Sequence, residues 1–326
     1  MRVGVLLPCV GDPVARFAAA GLPELDIEVI EDYADHPIER QLEMIQGMDG
    51  VLTGLGTAVD AAFLEAAGPN LKVVSNYAVG HDNIDLDAAA SRNVVVCNGP
   101  PPMTEPTADL AWMLLLAAIR RAREGLDLAV SGSWSGYHPQ LLLGRRLVGE
   151  TLLVVGAGRI GSAIARRSLG WGMKVLYVAN SDKPELEQPP ISARRVTLEE
   201  GLPQADAVMI SVALTPETKG LIGSRELASM KTTAVLVNVS RGPVVREAEL
   251  AAALQNGMIF AAGLDVYEQE PTIHPDLMSC ERAFLMPHLG SATTEDRSDL
   301  TDIAVDNIVA VLCGKDPPFQ VGNGHS

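Results

Sequence analysis

The sequence lacks any stretch that could cross a bilayer as a helix. Its longest apolar run, LAWMLLLAAI from Leu110 to Ile119, is about half the ~20 residues a spanning helix needs. It reads as a buried helix. Basic charge is also scarce: 25 Lys plus Arg against 41 Asp plus Glu leave a net charge of −16, which argues against a general nucleic-acid or anionic-membrane surface. Anionic small molecules are not excluded, because exposed charges are screened over ~8 to 10 Å and one Arg in a dry pocket can still bind a carboxylate. Cysteines are few. Cys9, Cys97, Cys280 and Cys313 show no C-x-x-C spacing and lie in apolar or helical contexts, so neither a zinc site nor a disulfide framework is expected, and a reducing cytoplasm is. The six histidines form no H-x-x-x-H pair, so no metal site is expected. The opening MRVGVLLPCV is broken by Pro8 before it reaches the length of a secretory apolar segment, and a buried first strand fits it better.

What is present is a globular composition, 47% hydrophobic and 20% charged, in 326 residues without low-complexity tracts. That length exceeds one compact core and predicts two domains. The runs RVGVLL, GVLTG, KVVSNY and NVVVCN alternate with the helical stretches PIERQLEMIQ and VDAAFLEAA, the order of a parallel sheet with crossover helices. NGPPPMTEP, residues 98–106, interrupts the series with three consecutive prolines and then offers a helix start at Thr104, so a domain crossing is expected there. After a basic, Gly-rich segment at 131–149 come TLLVV, KVLYV, DAVMIS, AVLVNV, IFAAGLDV and AFLMPH, six strand candidates suited to a Rossmann sheet. The final helix candidate, TTEDRSDLTDIAVDNIVAVLCG, follows that series; the first domain could accept it and would then be discontinuous. The closing GNGHS reads as a disordered or artificial tail.

Gly156, Gly158 and Gly161 form G-x-G-x-x-G directly after TLLVV and before SAIARRSLGWG. Glycines permit the tight turn, while N–H groups at the helix start, at Arg159, Ile160 and Gly161, would face a pyrophosphate. A structural Gly-rich turn is the alternative, and the strand-to-helix context favours the nucleotide. The next strand ends at Val178, which puts Ala179 at the ribose-reading position where a carboxylate normally accepts from the 2′-OH and repels a 2′-phosphate. Asn180 and Ser181 can donate to a phosphate, favouring NADP, whereas Asp182 opposes it and no Arg stands in the loop. A permissive loop using NAD as well is the competing reading.

LVNVSRGPVV places Arg241 just beyond a strand, GLDVYEQEP places Glu270 after another, and LMPHLGSATTED places His288 after a third. Ligands of open α/β sheets bind at such carboxyl edges. Arg241 could pair with a substrate carboxylate through its planar fork, or cap a neighbouring loop. His288 suits proton transfer to a carbonyl oxygen, and Glu270 would orient it and favour its charged form. NYAVGHDNID, residues 76–85, exposes a turn at Val79 and Gly80 that could hold an anion or simply cap the next helix.

The ordered set NYAVGHDNID, GAGRIG, VNVSRG, GLDVYEQEP and PHLGSAT resembles the D-isomer-specific 2-hydroxyacid dehydrogenases, especially their glyoxylate/hydroxypyruvate reductase branch, over nearly the whole chain. The resemblance implies an α/β protein of two doubly wound parallel-sheet domains: a discontinuous, flavodoxin-like substrate domain, residues 1–100 and 289–326, and a Rossmann NAD(P)-binding domain, residues 101–288, with the active cleft between them. It implies Arg241, Glu270 and His288 as the catalytic trio, Val79 and Gly80 as backbone anchors for the substrate carboxylate, and Asp265 on the nicotinamide side. Leu55 in TGLGT would line the substrate wall and Ser291 would touch substrate. The segment holding Trp134 resembles the family's dimer-forming arm, which implies a homodimer. The implied reaction is NAD(P)H-dependent reduction of a small anionic 2-oxo acid, glyoxylate or hydroxypyruvate, to the D-2-hydroxy acid. Rival readings are a nucleotide-sensing scaffold like the related transcriptional corepressors, or a formate or phosphite dehydrogenase.

Overall fold

The computed structural model describes residues 1–21 and 25–322. The chain divides into two compact units, Met1–Met103 with Ser291–Ser326, and Thr104–Gly290. The tail expected from GNGHS falls, from residue 323 onward, outside the described residues.

The first unit is built on β1 (Arg2–Val5), β2 (Asp26–Val29), β3 (Gly50–Thr53), β4 (Val73–Asn76) and β5 (Val95–Cys97). All pair in parallel in the order β2-β1-β3-β4-β5, the flavodoxin-like arrangement. Strand side chains alternate between two cores: Val51, Val74 and Val96 face a layer with Phe63 and Leu64, while Val5, Leu52 and Val73 face Ala304, Val305 and Ile308 of the helix Thr294–Leu312. The last helix therefore packs on the first sheet, though hundreds of residues separate them.

The second unit is built on β6 (Thr151–Val155), β7 (Lys174–Val178), β8 (Arg194–Arg195), β9 (Ala207–Ile210), β10 (Val235–Asn238), β11 (Ala261–Leu264) and β12 (Ala283–Leu285). Their order, β12-β11-β10-β9-β6-β7-β8, reverses between β6 and β9, the Rossmann switch point at whose carboxyl side nucleotides bind. The helix Thr104–Ile119, begun where MTEP signals a start, buries Ala111, Leu114 and Leu115 against one face of the sheet. Leu227, Leu250 and Leu277 cover the other face.

Two strands escape the sequence reading, β2 and β8. Each is an edge strand. β2 carries Asp26 and Glu28, and both residues of β8 are exposed arginines. Charged edges of this kind lack the buried apolar run that marks the interior strands. Among the described residues no helix is long and apolar enough to cross a membrane.

Candidate active site

The turn after β6 combines three glycines with three different requirements. Gly156 has φ +96, and a Cβ there would stand 2.9 Å from the carbonyl of Ser211. Gly161 packs so closely that a Cβ would meet the Gly156 carbonyl oxygen at 2.0 Å. Around Gly158, in contrast, a Cβ would meet nothing within 4 Å, so the surface there is open. Gly158 is the N-cap of the helix Arg159–Arg167, whose first-turn N–H groups have no intrahelical acceptor and carry the positive end of the dipole. An open backbone surface over a helix N-terminus fits a pyrophosphate.

The loop after β7 places Asn180 and Ser181 in solvent, with Ala179 half-buried. A cation does reach this loop. Arg195 on β8 donates from Nε to the Ala179 carbonyl at 3.1 Å and from Nη1 to Asp182 at 2.7 Å. It was invisible in the sequence because it arrives from a neighbouring strand.

At the carboxyl ends of β10, β11 and β12 the polar side chains expected there stand in three turns. Asn238 is buried and holds the first of them: its Nδ2 donates to the Arg241 carbonyl at 3.0 Å, and its Oδ1 accepts from both the N–H and Oγ of Ser240. Arg241 Nη1 donates to the Ser240 carbonyl at 2.9 Å. The next residue must be glycine, since a Cβ on Gly242 would lie 1.8 Å from the carbonyl carbon and oxygen of Tyr267. That approach locks the Arg241 turn against the Tyr267–Glu270 turn.

Glu270 is shared between two donors. Its Oε1 accepts the Tyr267 N–H at 3.0 Å, and its Oε2 lies 2.7 Å from Nδ1 of His288. Both side chains are about one-third exposed, 35% for Glu270 and 34% for His288. Burial alone would push the Glu270 carboxyl up; the hydrogen bond and charge of His288, the Tyr267 amide and the charge of Arg241 outweigh it and hold the carboxyl below its ordinary value. With Nδ1–H committed to Glu270, Nε2 is the nitrogen left for a substrate. Glu247, itself buried, supports this turn by pairing reciprocally with Glu268 and accepting the His274 N–H.

His288 adopts φ +54, a conformation uncommon for a residue with a Cβ. Asp265 holds it there. The Asp265 carbonyl accepts the His288 N–H at 2.9 Å, and its two carboxylate oxygens accept the N–H groups of Leu289 and Gly290 at 2.7 and 2.8 Å. Burial pushes the Asp265 carboxyl up to about 6, against the pull of those amides and of the His288 charge.

The remaining candidates lie in the first unit. Val79 and Gly80 follow β4, and their carbonyls accept from Asn98 and Asn76 at 2.7 and 2.8 Å. Their N–H groups have no protein acceptor among the described residues. Asn83 ties this turn to the one after β3, donating to the carbonyls of Gly54 and Thr57, on either side of half-buried Leu55. Helix capping also operates here, but two residues beyond Asn83, where Asp85 accepts the Ala88 N–H. Ser291 opens the returning segment of this unit, its carbonyl accepting the Thr293 N–H.

The turns thus place a paired imidazole and carboxylate, a guanidinium and a nucleotide-binding turn on one sheet's carboxyl edge, the equipment of a dehydrogenase. Residues 112–290 match the D-isomer specific 2-hydroxyacid dehydrogenase family, NAD binding domain, and the chain belongs to that family. It is 43% identical over 302 residues to a glyoxylate reductase of Thermococcus onnurineus, covering 91% of this chain and 89% of that one. A crystal structure from Thermus thermophilus superposes with a TM-score of 0.90 at 39% identity, covering 98% of this chain and all of that one (100%). A Sinorhizobium meliloti NADPH-dependent glyoxylate/hydroxypyruvate reductase, solved with NADP and malonate, gives a TM-score of 0.82 at 31% identity over 98% of this chain and 96% of that one.

Proposed function

We propose that the chain reduces glyoxylate or hydroxypyruvate to the D-2-hydroxy acid, with NADPH favoured and NADH also used. The observation that carries the reading is the 2.7 Å contact of His288 Nδ1 with Glu270, which leaves Nε2 for the substrate oxygen. Curated relatives at about 40% identity are glyoxylate reductases, which supports the substrate class. Bound nicotinamide supplies the hydride. Arg241 pairs with the substrate carboxylate and stabilises charge developing on the carbonyl oxygen, the amides of Val79 and Gly80 anchor the same carboxylate, and His288 donates the proton. Glu270 is the positioning carboxylate. Leu55 and Ser291 line the substrate, while Gly156, Gly158, Arg159, Ile160, Gly161 and Asp265 serve the cofactor.

NADP is favoured in this reading because Ala179 removes the carboxylate that would repel a 2′-phosphate, while Asn180 and Ser181 stand exposed to meet it. A homodimer belongs to the same reading. Leu126, Val130, Trp134, Leu143 and Val148 are each more than half exposed within one stretch of chain, an apolar surface that a second copy would cover. All four cysteines are free, which supports a cytoplasmic setting. Steady-state assays of a panel of 2-oxo acids with NADH and NADPH test the proposal. Turnover should be fastest with glyoxylate or hydroxypyruvate and with NADPH. Binding of nucleotide without turnover of any 2-oxo acid would favour a scaffold, and a strong preference for NADH would overturn the cofactor reading.

A further inference from the structure

The cofactor-reading loop is organised by a residue outside it. In the β7–β8 ladder Tyr177 pairs with Arg195, and alternation along a strand sends Arg194 and Arg195 to opposite faces. Arg194 reaches the side chain of Gln204 at 3.1 Å. Arg195 instead brackets the loop, touching the Ala179 carbonyl on one side of Asn180 and Ser181 and the Asp182 carboxylate on the other. The Tyr177 hydroxyl accepts the Lys183 N–H at 2.9 Å and fixes the loop's far end. Between these contacts Asn180 and Ser181 are exposed.

We propose that Arg195 is the specificity-determining cation for a 2′-phosphorylated adenosine cofactor, cancelling the charge of Asp182 and donating to the phosphate itself. The inference rests on the NADP reading above and names the group that completes it. Without Arg195, the carboxylate of Asp182 would stand beside the ribose-reading position and repel a phosphate dianion. With it, that carboxylate is paired at 2.7 Å. The guanidinium has five N–H donors, of which the two contacts use two, and Nη2 has no protein acceptor among the described residues. Its ion pair with Asp182 is exposed, 40% and 68% of the two side chains, and exposed pairs contribute little net stability. Turning the guanidinium toward a phosphate therefore costs little and gains a charge-assisted contact. A residue that merely braced the loop would serve phosphorylated and unphosphorylated adenosine alike.

Calorimetric titration of the full-length protein with 2′,5′-ADP and with 5′-AMP separates these roles without relying on turnover. The wild type should bind 2′,5′-ADP more tightly. Arg195→Ala should weaken 2′,5′-ADP by about 10- to 100-fold, the span of a charge-assisted hydrogen bond, and leave 5′-AMP within about twofold. Arg195→Lys should fall between, Asp182→Ala should tighten 2′,5′-ADP several-fold, and Arg194→Ala should change neither ligand. Equal weakening of both ligands in Arg195→Ala and Arg195→Lys would reduce Arg195 to a brace. A wild-type preference for 2′,5′-ADP that survives Arg195→Ala would overturn the inference and leave the NADP reading standing. A wild-type preference for 5′-AMP that persists in Asp182→Ala would remove both.

Discussion

Oε2 of Glu270 lies 2.7 Å from Nδ1 of His288 while its Oε1 accepts the Tyr267 amide, so one carboxylate fixes both the imidazole and its own loop. Glu270→Gln keeps an acceptor of the same shape and removes the charge that favours imidazolium. The ring would then lack the carboxylate that orients it for proton delivery, so kcat/KM for the 2-oxo acid should fall by at least about tenfold while binding of 5′-AMP is unchanged. An unchanged kcat/KM would separate Glu270 from the chemistry. Stability should respond to pH. Because the Glu270 carboxyl is held below its ordinary value, its contribution is present above the ordinary carboxylate range and is lost as pH falls through its folded value; the melting temperatures of wild type and variant should converge in acid.

Gly242→Ala should impair the site without touching any charged group. The added methyl would lie 1.8 Å from the backbone of Tyr267, and backbone cannot yield as a flexible side chain can. The Arg241 turn must move away from the Glu270 turn, at a cost of about 1–3 kcal/mol. KM for the 2-oxo acid should rise about tenfold or more if substrate pairing depends on that placement. Binding of 5′-AMP should be unchanged, because the Gly156–Gly161 turn lies on another strand. Unaltered KM with unaltered melting would show that the contact does not hold Arg241 in position.

Asp265 gives a pH dependence of the other sign. Its carboxyl is raised to about 6 by burial, so between the ordinary Asp value and about 6 the folded state holds a proton that the unfolded chain has released. Folded stability therefore declines as pH rises through that window. Relative to Asp265→Asn, which does not titrate, the wild type should lose on the order of 2 kcal/mol between pH 4 and pH 7. Urea midpoints of the two proteins at those pH values measure it. A difference that stayed constant would mean that the carboxyl is ionised throughout.

The interior of both sheets was legible because each inner strand is a short apolar run bounded by turn residues, as in TLLVV and AVLVNV. The positions of Arg241, Glu270 and His288 beyond strand ends were legible for the same reason, each following such a run by a few residues. β2 and β8 were not, since DIEV and Arg194–Arg195 pair along only one edge and remain partly in water. Arg195, Asn83 and Glu247 were hidden differently. Each acts on backbone or carboxylate groups 13 to 29 residues away, and no periodicity or local motif encodes which loop a side chain will meet across a sheet edge.

β12 is a three-residue edge strand, the kind of element that frays first. His288 follows it by only three positions, yet its mount is elsewhere: the consecutive amides of His288, Leu289 and Gly290 all end on Asp265, which is 1% exposed. Solvent exchange at those three amides should consequently behave as a single opening event governed by Asp265 rather than as progressive unzipping from the sheet margin.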